Sequence, residues 1–481
     1  MRGALDHEAR HQAFESDLDI DRGPVMEVDD DGKPRRTGTL WTASAHIITA
    51  IIGSGVLSLT WAIAQLGWIS GVCTLLVFSC ITSYTSNLLA DCYRSPITGK
   101  RNCSYMQAVR SYLGGTKYKA CGWVQYIYLS GMTVGYTITA SISMVAMRKS
   151  NCFHKRGHDG DPCKFSSNPY MIALGILEIF FSQIPNFHEL SWLSTVAAVM
   201  SFGHASIGIG LAFAKVVSGK GERTSLTGME VGVGFDAADK VWTMLRAVGD
   251  MAFAFAYSTV LIEIQDTLKS SLPENQTMKK ANTIGMSTAT TLYLLCSCLG
   301  YAAFGDHAPG NFLTGFGFYE PFWLVDLANV FIVVHLVGAY QVLAQPVFSV
   351  VEAWLYSLWP ESNLITKKYP INIGRRKLSF SLLRLVWRTL FVVMATVLAM
   401  ALPFFNDILA LLGAIGFWPM TVYFPVEMYI AQKKIKRGSR SWVGLQILNF
   451  VCLLVSVAVA CGSLQGLNQA LKSSKPFKFK E

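Results

Sequence analysis

A glycine pair interrupts an apolar stretch that is otherwise typical of a membrane helix. The stretch, residues 42–68, is TASAHIITAIIGSGVLSLTWAIAQLGW, and Gly53, Ser54 and Gly55 interrupt it. Unwound backbone is tolerated at membrane depth only where it is buried in protein or lines a polar cavity, because lipid cannot satisfy free N–H and C=O groups. The interruption therefore predicts a polar cavity. The competing interpretation is that small residues here only permit close helix packing.

The two ends of such a break carry opposite partial charges. N–H groups from Gly55 and Val56 onward suit a carboxylate, whereas carbonyls from Thr49 to Ile52 suit an ammonium group. Both polarities close together match an α-amino acid zwitterion. We therefore predict a substrate site at five consecutive residues: Ile52, Gly53, Ser54, Gly55 and Val56.

The composition places this break in a polytopic membrane protein. Of the 481 residues, 52% are hydrophobic and only 15% are charged, whereas soluble domains carry about 25% charged residues. Apolar stretches of about 20 residues, the length that crosses a bilayer, recur along almost the whole chain. Residues 1–36 are polar and acidic without an apolar core, so we expect a disordered cytosolic tail and not a signal peptide.

The same composition argues against several other functions. The formal charge of +10 comes from short Lys and Arg clusters between apolar segments, as the positive-inside rule predicts, so we expect no nucleic-acid partner. The polar segments contain no Walker loop, HExxH motif or dinucleotide fingerprint. We expect neither an enzyme nor a bound metal or cofactor, and a gradient-driven carrier is favoured over an ATP-driven pump.

Length and hydropathy predict an all-α protein with about eleven membrane spans. The predicted spans, numbered in chain order, cover residues 39–66, 70–93, 121–148, 169–185, 190–217, 241–265, 281–304, 321–348, 380–402, 407–431 and 441–463. If the N-terminus is cytosolic, the richest basic clusters all fall on the cytosolic side. This asymmetry predicts a cytosolic N-terminus and an extracellular C-terminus.

Two of the eleven cysteines differ from the others in their surroundings. Cys152 and Cys163 share one polar loop, whereas the rest lie mostly inside apolar runs. The predicted topology places this loop outside the cell, where oxidising conditions allow a disulfide. Two free thiols are the alternative.

Transporters with broken helices often consist of two inverted repeats. Here spans 1–5 and 6–10 would form them. The chain then divides into residues 1–36, the tail; 37–218, the first repeat; 219–431, the inverted repeat; and 432–481, span 11 with an extracellular tail.

Span 6 would then be the counterpart of the broken span 1. It contains Gly249, Asp250 and an alternation of Ala and large residues in which Phe253, Ala254 and Tyr257 would wall a side-chain pocket. No Gly-x-Gly marks a break in it, and a straight packed helix is the alternative.

Intramembrane ionisable residues are costly to bury and therefore indicate functional sites. His46 precedes Gly53 by seven residues, about 10 Å along a helix. Because His titrates near neutral pH, a His beside a substrate site suits proton coupling. His204 in span 5 and His335 in span 8 are further candidates for coupling or gating. For each, a neutral His hydrogen-bonded between helices is the alternative.

Acidic and amide side chains offer a second set of candidates. Asp250 would line the outer approach to the site, or pair with Arg246 four residues away on the same helix face. Asp326 and Asn329 share a face of span 8, either as cavity lining, with Asn329 contacting substrate, or as interhelical hydrogen-bonding groups. Two further acids fit helix packing or an inner gate: Glu178 and Glu263.

Three long motifs resemble those of the plant amino acid permeases, in the amino acid/auxin permease family of the amino acid-polyamine-organocation superfamily. They are GTLWTASAHIITAIIGSGVLSLTWAIAQLGW, LGYAAFGDHAPGNFLTGFGFYEPFWLVDLANV and GAIGFWPMTVYFPVEMYI. The resemblance covers residues 36 to about 465. It implies a LeuT-like fold of five plus five inverted spans with broken spans 1 and 6 and an added eleventh helix. It also implies symport of protons with neutral and often acidic amino acids across the plasma membrane.

The resemblance implies roles for individual residues as well. The family's carboxylate site falls on residues 52–56, its first-span histidine on His46 and its eighth-span histidine on His335. Its sixth-span wall falls on three residues: Phe253, Ala254 and Tyr257. Thr60 departs from the family pattern, which has a small apolar residue at this position.

Two other functions fit parts of the sequence. An auxin-like or other organic-acid proton symporter would use the same N–H groups for a carboxylate, but it would need room for an indole ring, whereas Ala252, Ala254 and Ala256 favour several modest side chains. A non-transporting amino acid sensor would usually have a cytosolic domain, and this chain has only short basic loops and a tail. The leading hypothesis is a proton-coupled amino acid carrier whose partners are its substrate, the proton and the lipid bilayer. The sequence sets no oligomeric state.

Overall fold

The computed structural model describes residues 35–156, 163–184, 191–232, 236–270, 273–316, 321–360, 362, 368–373 and 376–473. Residues 1–34, almost all of the predicted tail, and the C-terminal residues 474–481 lie outside this range. Within it, nine helices are long and apolar enough to cross a membrane. Span 1 and span 4 add shorter apolar helices, Leu40–Ile51 and Asn168–Ser182. The eleven-span, all-α membrane architecture is therefore confirmed.

The helical bounds run in chain order as follows: span 1, Leu40–Ile51 and the first part of Gly55–Asp91; span 2, the rest of Gly55–Asp91; span 3, Gly115–Arg156; span 4, Asn168–Ser182; span 5, Ser191–Val217; span 6, Ala237–Ala254, Tyr257–Val260 and Leu261–Gln265; span 7, Glu274–Phe304; span 8, Phe322–Leu358; span 9, Leu382–Ala401; span 10, Phe405–Gly416, Phe417–Tyr423 and Phe424–Lys433; span 11, Arg440–Ser473. Short helical segments outside the spans are Tyr105–Leu113, Gly305–His307 and Phe312–Phe316.

Spans 1 and 2 follow each other without a loop, because the chain turns at a single glycine. Gly67 has a φ of 79°, a conformation that glycine adopts at no steric cost. A Cβ atom at this position would also lie only 2.2 Å from the backbone nitrogen of Gly228, in the segment between spans 5 and 6. Gly67 therefore serves both the turn and the close approach of that segment.

Several helices are longer than the apolar segments that predicted them. Span 3 occupies Gly115–Arg156 where residues 121–148 were expected, and span 8 occupies Phe322–Leu358 where residues 321–348 were expected. Hydropathy detects only the part of a helix that lies in lipid, so the polar start of span 3, residues 115–120, escapes it. Span 10 contains a π-helical stretch, Phe417–Tyr423.

A small hairpin between spans 8 and 9 is the one feature with strands among the described residues. Lys368–Ile373 pairs antiparallel with Arg376–Ser381, with Lys368 opposite Ser381. The expectation of a purely helical chain missed it, because the segment is polar and carries no hydropathy pattern of a span.

The packing of the spans places the two broken spans at the centre. Span 7 packs against spans 1 and 2, span 10 packs against spans 6 and 11, and span 8 packs against spans 3 and 5. Ile52, Val56 and Phe255, at or next to the breaks, are fully buried. Unwound backbone in spans 1 and 6 is therefore surrounded by protein, as membrane depth requires.

A disulfide joins Cys152, near the end of span 3, to Cys163, shortly before span 4, with the two Cα atoms 5.9 Å apart. The loop residues 157–162 between them lie outside the described part of the chain.

Candidate substrate site at the paired helix breaks

Span 1 unwinds where the glycine pair predicts. The first helix ends at Ile51 and the second begins at Gly55. Between them the N–H of Gly53 donates to the carbonyl of Ile51, at 2.9 Å. At the start of the second helix the N–H groups of Gly55 and Val56 have no carbonyl one turn before them, since the helix begins there. They are the N–H groups that the sequence predicts to bind an anion.

Span 6 is broken as well, which excludes the straight-helix alternative. Its first helix ends at Ala254, and a 3-10 turn, Tyr257–Val260, leads into the short second helix, Leu261–Gln265. The N–H of Ala256 donates to the carbonyl of Phe253, at 3.1 Å, so the last turn tightens instead of continuing. No glycine lies within residues 250–265.

The two breaks contact each other directly through Gly55. A Cβ atom at Gly55 would lie 2.9 Å from the Cα and 3.0 Å from the Cβ of Ala254. Contacts below about 3 Å cannot form without a backbone shift, because protein interiors are close-packed. Glycine at position 55 is therefore required by the approach of span 6, in addition to any role in unwinding.

A tyrosine from span 7 bridges the two breaks, and sequence reasoning missed it. The hydroxyl of Tyr293 lies 2.5 Å from the carbonyl oxygen of Ile51 and 3.1 Å from that of Ala254, so it donates to the last carbonyls of both interrupted helices. Its ring packs edge-on against Phe255, with centroids 5.3 Å apart. Tyr293 lies in a mostly apolar helix with no motif around it, and only the three-dimensional contact identifies it.

This contact corrects one part of the predicted site. The carbonyls from Thr49 to Ile52 were expected to be available for an ammonium group. The carbonyl of Ile51 already accepts from Tyr293 and from the N–H of Gly53. Of the predicted carbonyls, those of Thr49, Ala50 and Ile52 remain as candidates.

The opposite wall of the first break comes from spans 3 and 8. A Cβ atom at Gly53 would lie 3.7 Å from Nε2 of His335 and 3.8 Å from the hydroxyl oxygen of Tyr136. Nδ1 of His335 is held by the Ser201 hydroxyl, at 3.1 Å, and lies 3.3 Å from the carbonyl of Ala197. The ring is thus fixed by span 5 with its other nitrogen towards the break. Tyr136 is a second residue that the sequence did not single out.

The structure brings two of the predicted histidines together. The ring centroids of His204 and His335 lie 6.5 Å apart. Nδ1 of His204 lies 2.9 Å from the carbonyl of Met200 on its own helix, and its Nε2 is buried without a hydrogen-bond partner among the described residues. Spans 5 and 8 therefore hold a histidine pair beside the first break.

His46 lies apart from this pair, on the first half of span 1. Its side chain is half-buried, whereas its neighbour Ile47 is fully buried and packs where Gly285 of span 7 leaves room. The structure keeps His46 on the half of span 1 before the break, as its sequence position requires.

The three predicted residues of span 6 are all buried, but they do not share one role. Phe253 and Ala254 lie at the end of the first helix, with Ala254 against Gly55. The hydroxyl of Tyr257 donates to Oδ1 of Asn282 in span 7. The amide of Asn282 in turn donates to the carbonyl of Ser83 in span 2, at 3.0 Å. The Tyr257 hydroxyl thus ties span 6 to spans 7 and 2.

The two predicted polar residues of span 8 differ in their contacts: Asp326 makes the interhelical hydrogen bond that was one alternative, whereas Asn329 bonds within its own helix. Asn329 is fully buried and donates to the carbonyl of Val325 on its own helix, at 2.9 Å, while its Oδ1 has no partner among the described residues. Asp326 accepts from the amide of Asn151 in span 3, at 2.5 Å. Asp326 is therefore an interhelical contact, and Asn329 keeps an unmatched polar atom inside the bundle.

A polar cluster lies on the side of the breaks that was predicted to be extracellular. Arg246 in span 6 pairs with Asp407 in span 10, at 2.9 Å, so the alternative in which Arg246 pairs with Asp250 is wrong. Asp250 is fully buried and accepts from the amide of Asn406, at 2.7 Å. The guanidinium of Arg246 also lies 5.9 Å from the ring of Trp61 in span 1. We call these five residues the outer cluster.

A second polar cluster lies on the opposite side, where the chain enters span 1. Arg36 donates to Oε1 of Glu274 and to the hydroxyl of Tyr93, both at 3.0 Å. Tyr93 donates to Asp266 just after span 6, at 2.6 Å. Burial and this hydrogen bond raise the pKa of Tyr93 above its usual range, so it remains a neutral donor. We call these four residues the inner cluster.

The departure at Thr60 has a structural explanation. Its hydroxyl lies 3.3 Å from the carbonyl of Cys296 in span 7 and donates to it. Gly300, one turn further along span 7, leaves the space that the threonine side chain occupies, since a Cβ atom there would lie 2.3 Å from its hydroxyl. A polar residue at position 60 is thus satisfied inside the bundle.

Comparison with known proteins assigns this arrangement to a family. Residues 36–469 match the family described as transmembrane amino acid transporter protein. This chain belongs to that family. It is 60% identical to amino acid permease 8 of Arabidopsis thaliana over 457 residues, which are 94% of this chain and 96% of the relative. It is also 60% identical to amino acid permease 1 of the same plant, over 95% of this chain and 94% of the relative.

The fold also matches a solved structure of low sequence similarity. The crystal structure of MhsT in complex with L-phenylalanine aligns with a TM-score of 0.54 at 10% identity, covering 90% of this chain and 100% of that one. The likeness confirms the LeuT-like fold. As a member of a transporter family, the chain is a multi-pass membrane protein of amino acid transport and not an enzyme.

Proposed function

We propose that the protein is a proton-coupled symporter that imports neutral and acidic amino acids across the plasma membrane by alternating access. The proposal rests mainly on the paired breaks of spans 1 and 6. The N–H end at Gly55 and Val56 would bind the substrate carboxylate, and the unpaired carbonyls at the end of the first helix would bind its ammonium group. The inward proton gradient would drive uptake without a resident cofactor.

The outer and inner clusters support alternating access. The outer cluster links span 6 to spans 1 and 10, whereas the inner cluster links the entry to span 1 with the end of span 6 and the start of span 7. Each cluster thus joins a broken span to a neighbouring span on one side of the substrate site. Separating one cluster while the other remains intact would open the site to one side only.

The histidines support proton coupling. His335 faces the first break, and the ring of His204 lies beside the ring of His335. A histidine beside the substrate site can gain or lose a proton, and its protonation would alter the field felt by a bound zwitterion. His46, before the break on span 1, and Asp250, in the outer cluster, are further groups that we propose act in coupling or gating.

We further propose the predicted orientation and repeat boundaries. The N-terminus would be cytosolic and the C-terminus extracellular, with residues 37–218 and 219–431 as inverted repeats and span 11 in residues 432–481. The unmatched Oδ1 of Asn329 supports a place for this residue near the substrate path, since buried polar atoms are normally paired.

The proposal is tested by recording currents in voltage-clamped cells that express the protein. Alanine, glutamate, lysine and indole-3-acetate are applied in turn at an external pH of about 5.5 and about 7.5, with choline in place of sodium. We expect inward currents with alanine and glutamate that grow at the acidic pH and persist without sodium.

Three other results would contradict the proposal in different ways. A current with indole-3-acetate but none with amino acids would favour the organic-acid symporter. Binding of radiolabelled alanine with neither current nor uptake would favour the sensor. A current that disappears in choline would replace the proton by sodium as the coupling ion.

A further inference from the structure

A small cavity lies between spans 3, 4 and 8, and Tyr136 forms part of its wall. It is lined by Tyr136, Thr137, Ala140, Leu174, Glu178, Leu336, Val337 and Tyr340. Glu178, on span 4, is the only acidic residue in this lining. From the sequence, Glu178 was expected to serve helix packing or an inner gate, and neither role involves a cavity.

The carboxylate of Glu178 is buried and held by one amide. Only 3% of the residue is exposed. Nε2 of Gln341, on span 8, donates to its Oε2 at 2.6 Å and to its backbone carbonyl at 3.1 Å. Gln341 is itself fully buried, and its Oε1 has no hydrogen-bond partner among the described residues. Because buried polar atoms are normally paired, the unmatched Oε1 next to this carboxyl group is an acceptor for a second hydrogen bond.

The groups that face Glu178 from the neighbouring spans are neutral. Span 3 presents Tyr136 and Thr137, and span 8 presents Tyr340 together with Gln341. From span 9, Arg388 reaches the carbonyl of Ser182, one turn along span 4, but its guanidinium pairs with Glu352 at 2.7 Å. An intramembrane acid in such surroundings is a candidate for a proton relay.

Gln341 fits both charge states of this acid. A carboxylate only accepts hydrogen bonds, which matches the present geometry with Nε2 as donor. A carboxylic acid donates one, and a half-turn of the Gln341 amide would place the unmatched Oε1 opposite it. The pair can therefore satisfy the side chain of Glu178 with and without a proton, while the turn takes the Nε2 donor away from the backbone carbonyl of Glu178.

The cavity adjoins the substrate site through shared walls. Tyr136 lines the cavity and also holds its hydroxyl 3.8 Å from the position of a Cβ atom on Gly53. Leu336, which follows His335 in span 8, lines the cavity as well. A change at Glu178 could reach the first break through these two residues without contact between Glu178 and the substrate.

We propose that Glu178 and Gln341 form a proton-binding site, separate from the substrate site, that is loaded and unloaded once in each transport cycle. A proton taken from one side of the membrane bonds to a carboxylate oxygen of Glu178, and the amide of Gln341 turns so that its Oε1 accepts a hydrogen bond from the new O–H group. Both changes reverse when the proton leaves to the other side. The inference rests on the proposed proton-coupled function and names a residue that carries the proton.

The test compares Glu178→Gln, a neutral variant of the same shape, with the matched control Leu174→Met, a volume-conserving change in the same cavity lining. Two activities are measured: net uptake of labelled alanine as a function of external pH, and exchange of labelled for unlabelled alanine without a proton gradient. The protonated fraction of a site that binds one proton rises by up to about tenfold for each unit by which the pH falls. We expect Glu178→Gln to keep exchange but change net uptake less than about twofold across two pH units, whereas the control follows the wild type.

A second variant keeps the proposal testable if Glu178→Gln fails to reach the membrane. Gln341→Met removes the N–H that stabilises the carboxylate, so the midpoint of the pH profile should move up by about one pH unit, the equivalent of one charge-assisted hydrogen bond. An unchanged midpoint, or a wild-type pH profile in Glu178→Gln, would overturn the inference alone. A wild-type protein with no acid-stimulated uptake would overturn the proposed function as well.

Discussion

The breaks in spans 1 and 6 solve the same problem with different residues. The break in span 1 has two glycines, and one of them, Gly55, admits the backbone of Ala254. The break in span 6 has no glycine within residues 250–265. Its end carbonyl at Ala254 is satisfied from outside by the hydroxyl of Tyr293. Glycine at a helix break therefore marks a close approach, whereas unwinding itself needs only a partner for the freed backbone groups.

This difference predicts a ranking of substitutions by their effect on stability. A substitution that prevents the close approach of the two breaks, at Gly55, should lower stability most. A substitution that removes the hydroxyl capping both breaks, at Tyr293, should lower stability less. A substitution on the open side of the first break, at Gly53, should lower stability least and should act on transport instead.

Gly55→Ala is expected to have the largest effect on stability. Its Cβ atom would lie 2.9 Å from the Cα of Ala254, so one of the two backbones must move. Overpacking of this kind costs about 1–3 kcal/mol, and it displaces the N–H groups proposed to bind substrate. We expect a lower thermal midpoint of the purified protein in detergent and alanine uptake reduced by more than about tenfold.

Gly210→Ala is the matched control for this change. Gly210 is also a helical glycine of a membrane span, and a Cβ atom there meets nothing within 4 Å among the described residues. Its thermal midpoint and uptake should equal those of the wild type. Equal midpoints for Gly55→Ala and Gly210→Ala would show that the two breaks do not need this contact.

Tyr293→Phe is expected to have an intermediate effect. The ring remains against Phe255, but the carbonyls of Ile51 and Ala254 lose their common donor. A buried acceptor left unsatisfied costs about 1–3 kcal/mol, partly recovered here because Ile51 keeps the N–H of Gly53. The thermal midpoint should fall, and uptake should fall several-fold. The control is Tyr84→Phe, at a residue that is 49% exposed. The same small shift in both variants would mean that the capping contact contributes nothing.

The sequence predicted the first break better than the second for a physical reason. Gly53 and Gly55 stand out against an apolar helix. Because lipid excludes free backbone groups, a helix break at these glycines predicts a polar cavity. The span 6 break is stabilised by Tyr293, about 40 residues further along the chain. No local pattern contains that contact. Inverted repeats and the resemblance to permeases pointed to span 6, and the fold confirms the break.

The polar partners were the least predictable part of the site. Spacing along one helix suggested that Arg246 pairs with Asp250, whereas the structure pairs Arg246 with Asp407 of span 10. Helical spacing describes neighbours on an exposed surface, but inside a bundle side chains from other helices compete for the same group. Tyr136 was missed for a similar reason, because its significance lies in its contact with another span.

Gly53→Ala is expected to change stability least and to act on transport itself. Its Cβ atom would make ordinary contacts, 3.7 Å from Nε2 of His335 and 3.8 Å from the hydroxyl of Tyr136. The fold should therefore accept it, while the added methyl group occupies space in front of the proposed carboxylate site. We expect an unchanged thermal midpoint and a KM for alanine raised about fivefold, equivalent to about 1 kcal/mol.

Gly135→Ala provides the matched comparison, because its Cβ atom would lie at nearly the same distances, 3.6 and 3.7 Å, from Leu412 and Leu409 of span 10. Both variants add one methyl group at ordinary contact distance inside the bundle, but only one adds it at the break. The KM of Gly135→Ala should stay within about twofold of the wild type. If both variants raise the KM equally, the open side of the first break does not contact substrate, and the glycine pair in span 1 serves helix packing alone.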